Sequence, residues 1–347
     1  MQKINGVVTA LFTPMFQDGR IDFRTLEAVV DYNAAHKVGV LSAGTTSESP
    51  TIHHEQEQVD QLVLSRAKEK VSVVIGAGTY DTEHSVELTR RAVGDGADAT
   101  LHVMGYYNKP SQRGVMDYFS RVAEVDPTIP VIMYHIPGRG GAEYLPQTIV
   151  ALAQRHPNIN GLKEASGGDA AINSARSVRS LADRYNLDFA IMSGDDDLTF
   201  RMVTGLDIRG DGVISVMSNL LPHLYARLVE SSREGSPEAQ ELNEALGHLN
   251  RIVGMKVRDY VEIDGDEHQI TDTYRNPQSV KTAAYILGMT PELGFRSPMM
   301  QMPEDGVRQV GNALWQVFAA TDGESFRPLQ EFFRPTPSVS DRLMRFR

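Results

Sequence analysis

Val71-Ser72-Val73-Val74-Ile75-Gly76 is a short apolar run that stops on glycine. Thr82 then opens an amphipathic stretch that Gly94 and Gly96 close, and Ala99-Thr100-Leu101-His102-Val103 follows as a second run. Strand, capped helix, glycine stop, strand is the signature of a βαβ unit. The same rhythm extends in both directions. Val7–Phe12 and Gly39–Ala43 precede it; Pro130–Tyr134, Asn160–Lys163, Phe189–Ser193 and Gly212–Val216 follow. The runs recur about every 30 residues, enough for one βα unit each. They are apolar almost throughout, as expected of strands covered on both faces in a parallel sheet. Between them lie helical patterns. Asp22 is placed to cap the first, Thr82 the third, and Pro146 to start the fifth; Ala171–Tyr185 and Leu198–Leu206 are the sixth and seventh. Eight such units predict a closed (β/α)8 TIM barrel. An open doubly wound sheet would need a phosphate-binding glycine turn after its first strand, and Thr13-Pro14-Met15 has none. Gly76-Ala77-Gly78 is read as a turn pair and not as part of a nucleotide fingerprint.

The barrel is expected over residues 1–218. Residues 219–333 form a C-terminal helical region, with Pro222–Met255 and Pro277–Leu287 helical and no further strand rhythm. Within it, Asp259–Arg275 is an acidic, Thr-rich insertion with a turn at Asp264-Gly265-Asp266. Residues 334–347 are expected as a loose tail or an arm on a neighbour.

The chain has 347 residues, 41% hydrophobic and 23% charged, which argues against wholesale disorder. With 34 basic and 45 acidic residues the formal charge is −11, an unfavourable balance for nucleic acid. With no Cys there is no disulfide, thiolate metal site or thiol nucleophile. No apolar stretch approaches the ~20 residues of a membrane span. The opening residues read as a first strand and not as a leader, so a cytoplasmic location is expected.

In a barrel of this kind the reacting groups stand at the C-terminal ends of the strands. Lys163 ends a buried run there, where lost hydration favours the neutral amine, a nucleophile able to form a Schiff base with a ketone. The plain alternative is a structural ion pair, but adjacent Glu164 would point to the opposite face of the strand. Tyr134 ends the neighbouring strand and offers a phenol for proton transfer, or merely a core cap with its hydroxyl in water. Thr45 and Thr46 offer hydroxyls and backbone N–H groups for a small carboxylate, or a helix-capping turn. Arg139, after a Pro-Gly turn, could clamp a second carboxylate, or lie solvated. His53-His54-Glu55 lacks metal-binding spacing and reads as a helix start; Asp195-Asp196-Asp197 reads as a cap for the helix that follows.

Taken together the strand endings resemble the dihydrodipicolinate synthase/N-acetylneuraminate lyase family of class I pyruvate aldolases. Six motifs carry the resemblance in order: Gly44–Glu48, Tyr106-Tyr107-Asn108-Lys109-Pro110-Ser111-Gln112, Tyr134-His135-Ile136-Pro137-Gly138-Arg139, Gly161–Ala165, Ser193–Asp196 and Gly212–Val216. It covers Ile4 to Ser218 and resumes from Asn276-Pro277 to Met289. The resemblance implies that Lys163 forms the Schiff base and that Tyr134 shuttles protons. Thr45 and Tyr107 would complete the relay, Tyr107 reaching in from a partner subunit. Thr46, Ile214 and Gly194 would hold the pyruvate, and Arg139 would mark the synthase branch, where it binds aspartate 4-semialdehyde. No metal or organic cofactor is implied, because the protonated imine is itself the electron sink. The implied partners are pyruvate and a small aldehyde or 2-oxo acid, with the chain as a homodimer or homotetramer. Ser47 and His135 depart from the family pattern and are expected in the pocket wall. Tyr80, His84 and Pro50 stand where lysine-regulated relatives differ, so weak or absent lysine inhibition is expected. The competing readings are another family member acting on a 2-oxo acid (a pyruvate-releasing aldolase, a hydratase-aldolase or a dehydratase), a metal-dependent barrel lyase, or a non-catalytic barrel that binds a small acid.

Overall fold

The computed structural model describes residues 3–347. Eight parallel strands close into a barrel in sequence order: β1 (Gly6–Ala10), β2 (Gly39–Ser42), β3 (Val73–Gly76), β4 (Ala99–His102), β5 (Val131–His135), β6 (Ile159–Glu164), β7 (Ala190–Ser193) and β8 (Gly212–Ser215), with β8 pairing back onto β1. Side chains alternate across each strand. Val8, Leu41, Val74, Leu101, Ile132 and Ile214 therefore fill the interior, while Val7, Val40, Val73, Met133, Leu162 and Ile191 face the helices.

The covering helices are α1 (Phe23–Ala35), α2 (Gln56–Ala67), α3 (Thr82–Asp95), α4 (Gln112–Ala123), a short turn α5 (Pro137–Gly140), α6 (Pro146–Arg155), α7 (Gly168–Arg184), α8 (Thr199–Thr204) and α9 (Pro222–Glu234). Asp22 caps α1 by accepting the Thr25 N–H, and Gly96 ends α3 in the left-handed conformation, as expected. The cap of α3 is Asp81, which accepts the His84 N–H; Thr82 is one residue too late and lies in the first turn. Helix α9 packs on β1 and completes the last βα unit, so the barrel runs past residue 218. Gly76 and Gly78 are sites of close approach and not a turn pair. A Cβ would sit 2.2 Å from the Ala43 carbonyl oxygen at Gly76 and 2.3 Å from that of Val103 at Gly78.

Beyond the barrel come α10 (Glu238–Asn250), α11 (Gln278–Leu287), α12 (Glu304–Ala320), α13 (Arg327–Phe333) and α14 (Val339–Met344). Two expectations are corrected here. The stretch read as helix up to Met255 and as a loop insertion from Asp259 is an antiparallel hairpin, β9 (Gly254–Ile263) and β10 (Asp266–Arg275). Asp264 and Gly265 both have positive φ, as a two-residue type I′ turn requires, and β-branched and aromatic residues flank them. The segment expected as a loose tail is instead docked. Val339 and Leu343 are buried, and Phe346 lies so close over Gly311 that a Cβ there would be 2.2 Å from its ring. The spacing of these three residues makes one apolar helical stripe.

Helix α13 meets the barrel at Tyr32, whose ring lies 5.2 Å from both Phe332 and Phe333. Beside it, the His36 and His223 rings are 5.2 Å apart. Burial, with help from the nearby charges of His36 and Arg227, pushes His223 down to about 4. The unfolded chain, with an ordinary His value, therefore binds this proton first as pH falls. The stability contributed by neutral His223 is present above about 6.5 and is lost on descent towards 4. At pH 4.5 we expect wild type to lose about 2–3 kcal/mol from this source relative to His223→Phe, at about 1.4 kcal/mol per unit. Urea unfolding of both proteins at pH 7 and 4.5 measures it, and parallel losses would contradict it.

Candidate active site

Four strand ends and one C-terminal loop build the mouth of the barrel. Lys163 and Tyr134 are register partners on β6 and β5. Tyr134 belongs to the interior layer, and Lys163, directly beside it, shares its face. The Lys163 side chain is buried, with Nζ 4.2 Å from the centroid of the Tyr134 ring. Lys163 forms no ion pair among the described residues. Glu164 points to the other side of the sheet, where its Oε2 lies 2.9 Å from His135 Nδ1 and accepts from Ser174 Oγ at 2.5 Å, and its Oε1 accepts the Ser166 N–H at 2.9 Å. The structural ion-pair reading of Lys163 with Glu164 is thereby excluded.

His135 is not in the pocket wall. It lies between sheet and helices, with both ring and carboxylate partner fully buried. Burial works against its charge, but the hydrogen bond and charge of Glu164, aided by Glu143, carry its pKa above the ordinary histidine value. Ser47 is likewise turned away from the mouth. Its Oγ donates to the Leu11 carbonyl at 2.7 Å, and its own carbonyl accepts from Thr13 Oγ1 at 2.9 Å. Both departures are therefore internal braces, and neither alters the surface that meets a substrate.

A cavity of about 270 Å³ opens above the pair, lined by Thr45, Glu48, Tyr106, Ile136, Arg139 and Asn276 among others. Ile136 is the next inward residue after Tyr134, so this cavity continues the barrel axis outward from Lys163. Thr46 is buried at its floor, where Oγ1 accepts from Asn276 Nδ2 at 2.9 Å. Arg139, presented by α5, donates from Nη2 to the Asn276 carbonyl at 3.0 Å. Ile214 lies in the same interior layer as Tyr134. At Gly194 a Cβ would meet Ala165 Cβ at 2.6 Å, so only glycine lets β7 close against the strand end that carries Lys163. Tyr107 is the exception. It is 93% exposed, has φ +78°, and does not reach the mouth within one chain.

Three contributors were not singled out from the sequence. Asn276 ties Thr46 to Arg139 from far along the chain; its signal is the Asn-Pro step. Lys281 of α11 donates to Glu48 Oε1 at 2.5 Å with both side chains buried, pinning the β2 turn to the C-terminal region. Asp196 does not cap its own helix. Its Oδ2 accepts the N–H groups of Val216 and Met217 at 3.0 and 3.1 Å and so holds the end of β8. Asp195 beside it is pushed up to about 6 by burial and the charge of Asp197, against the pull of Lys163.

An interior lysine against a tyrosine, beneath a cavity edged by an arginine, matches a known set of proteins. The model of the dihydrodipicolinate synthetase family matches residues 3–317. The chain belongs to this family. It is 33% identical over 312 residues to the 4-hydroxy-tetrahydrodipicolinate synthase of Persephonella marina, covering 89% of this chain and 97% of that one. The crystal structure of dihydrodipicolinate synthase from Thermotoga maritima superposes with a TM-score of 0.79 at 31% identity, over 91% of this chain and 99% of that one. The chloride-inhibited dihydrodipicolinate synthase from Acinetobacter baumannii, complexed with pyruvate, gives 0.78 at 30%, over 91% and 99%. Within the family this chain is set apart by the β9–β10 hairpin, whose residues supplied none of the motifs of the resemblance, and by the His135–Glu164 brace. Among the described residues no helix is long and apolar enough to cross a membrane.

Proposed function

We propose that the protein is a cytoplasmic lyase that condenses pyruvate with aspartate 4-semialdehyde to give 4-hydroxy-tetrahydrodipicolinate. The observation that carries this reading is the buried, unpaired Lys163 beside Tyr134 at the floor of an arginine-edged cavity. The Lys163 amine attacks the pyruvate carbonyl and water leaves, forming the protonated imine. Thr46 and the backbone at Ile214 hold the carboxylate, and Gly194 leaves room beside it. Tyr134 relays a methyl proton away and the imine becomes an enamine. The enamine carbon attacks the aldehyde carbon, whose oxygen takes up a proton. The amino group of the acceptor then adds to the imine carbon, releases Lys163 and closes the ring. Thr45 and Tyr107 extend the relay, Tyr107 coming from a second copy; its full exposure in the single chain supports this role. The imine is the electron sink, so the route needs no metal or organic cofactor.

Arg139 is the group that selects the acceptor, binding its carboxylate with a charge-assisted pair that contributes about 1.5–3 kcal/mol. Arg139→Ala should raise KM for aspartate 4-semialdehyde about 10–100-fold while pyruvate still forms its adduct. Initial rates across a panel of aldehydes and 2-oxo acids test both points. Turnover confined to aspartate 4-semialdehyde supports the proposal. Turnover with another acceptor and none with this one would assign the chain to a different activity of the same family.

A further inference from the structure

We propose that the β9–β10 hairpin is an assembly arm, and that its β10 edge pairs antiparallel with the β10 edge of a second copy of this chain, about a two-fold axis at Thr271. The hairpin is long, about 33 Å at 3.3 Å per residue, and two strands alone are marginal in water. Its inner half is supported, since Met255, Val257 and Tyr274 are buried against the body. These residues share one face with Val261, Ile263 and Ile270 by the pairing register. The apolar face thus continues outward past the point where the body ends, leaving Val261 42% and Ile263 57% exposed.

The register shows which edge is open. Arg258 N–H is capped by Asp305 of α12 at 3.3 Å, and the Lys256 carbonyl is reached by Gln309 at 3.4 Å. The even-numbered residues of β9 therefore face away from β10, and α12 covers that edge at its base. Residues opposite one another in an antiparallel ladder turn their N–H and C=O groups the same way, both inward or both outward. Arg258 pairs with Thr271, Tyr260 with Gln269 and Glu262 with Glu267. Glu267, Gln269 and Thr271 therefore present their backbone groups outward on β10, and nothing among the described residues bonds to them. An open edge of this kind is a template for another strand.

Charge chooses the occupant and the register. The tip is acidic, with Glu262, Asp264, Asp266 and Glu267; the base is basic, with Lys256, Arg258 and Arg275. Two hairpins laid tip to base are complementary to each other, which is the requirement of a two-fold, isologous contact. Pairing about Thr271 sets Glu267 opposite the partner's Arg275 twice over, with Gln269 opposite the partner's Thr273. Pairing about Gln269 would instead set Asp266 opposite the partner's Asp272. In the chosen arrangement both apolar faces lie on one side of a four-stranded sheet. Each uncovered tip then lies beside the body of its partner.

The test is the mass of the full-length protein in solution by light scattering, at several concentrations. Thr271→Pro removes an outward N–H at a position where an edge strand tolerates proline. It should halve the mass of the assembly, whatever other contact the copies make. Glu267→Arg should do the same, and Glu267→Arg with Arg275→Glu should restore the wild-type mass. A wild-type protein at the monomer mass, or variants that keep the wild-type mass, would overturn the proposal. The charge pair keeps the test decisive if the proline variant does not fold.

Discussion

Lys163→Ala is expected to abolish turnover, on the order of 10³-fold or more, with the barrel intact. The reasoning rests on what surrounds this amine. It is buried at a strand end where neighbouring strands are held by backbone pairing on both sides, Tyr134 on β5 and Met192 on β7. It forms no ion pair among the described residues, so its removal strands no buried charge. The packing lost is an aliphatic stem over the Tyr134 ring. Stability should therefore change little or improve, while the nucleophile is gone. Activity assays beside urea unfolding separate these effects. A variant that keeps more than a tenth of wild-type turnover would remove Lys163 from the reaction. A variant that loses activity only because it unfolds would leave its role open to a structural explanation.

Lys281→Met should have the largest effect on stability. Lys281 and Glu48 are buried together, and burial alone pulls Lys281 below its ordinary pKa, opposed by the charge and hydrogen bond of Glu48. The second carboxylate oxygen of Glu48 already has no partner. Removing the ammonium leaves an uncompensated buried carboxylate, a loss of about 3–5 kcal/mol. Because Glu48 has φ +58° and closes the turn that carries Thr45 and Thr46, the same change should also raise KM for pyruvate. Glu48→Gln combined with Lys281→Met should recover much of the stability, since no charge then remains to be desolvated. Unfolding free energies for the two single variants and the double variant measure this. A cost below about 1 kcal/mol for Lys281→Met would show that the pair is solvated and not a pin.

The barrel was legible because each of its strands is buried on both faces, which leaves an uninterrupted apolar run of the kind seen at Val73–Gly76 and Ala190–Ser193. The hairpin was not, although its turn was. Its strands carry Lys256, Arg258, Asp259, Glu262 and Asp272 among their β-formers and are exposed over most of their length, so neither a buried run nor a clean alternation marks them. Asp264-Gly265 was the available signal, and it needed to be weighed with the Thr, Val and Tyr residues on either side. Lys163 and Tyr134 could be found from strand ends because a parallel barrel gathers those ends into one mouth. Asn276, Lys281 and Asp196 could not, because their partners at Thr46, Glu48 and Val216 are defined by packing between distant elements. His135 was assigned to the wrong side. Its neighbour Tyr134 faces inward, and strand alternation alone would have placed His135 against Glu164.

The most direct test of the central claim is the intact mass of the protein after incubation with pyruvate and borohydride, for wild type and for Lys163→Ala. The account predicts one reduced pyruvate adduct per chain in wild type, located on the peptide that contains Lys163, and none in the variant. An unmodified wild-type protein, or an equal adduct in Lys163→Ala, would contradict it.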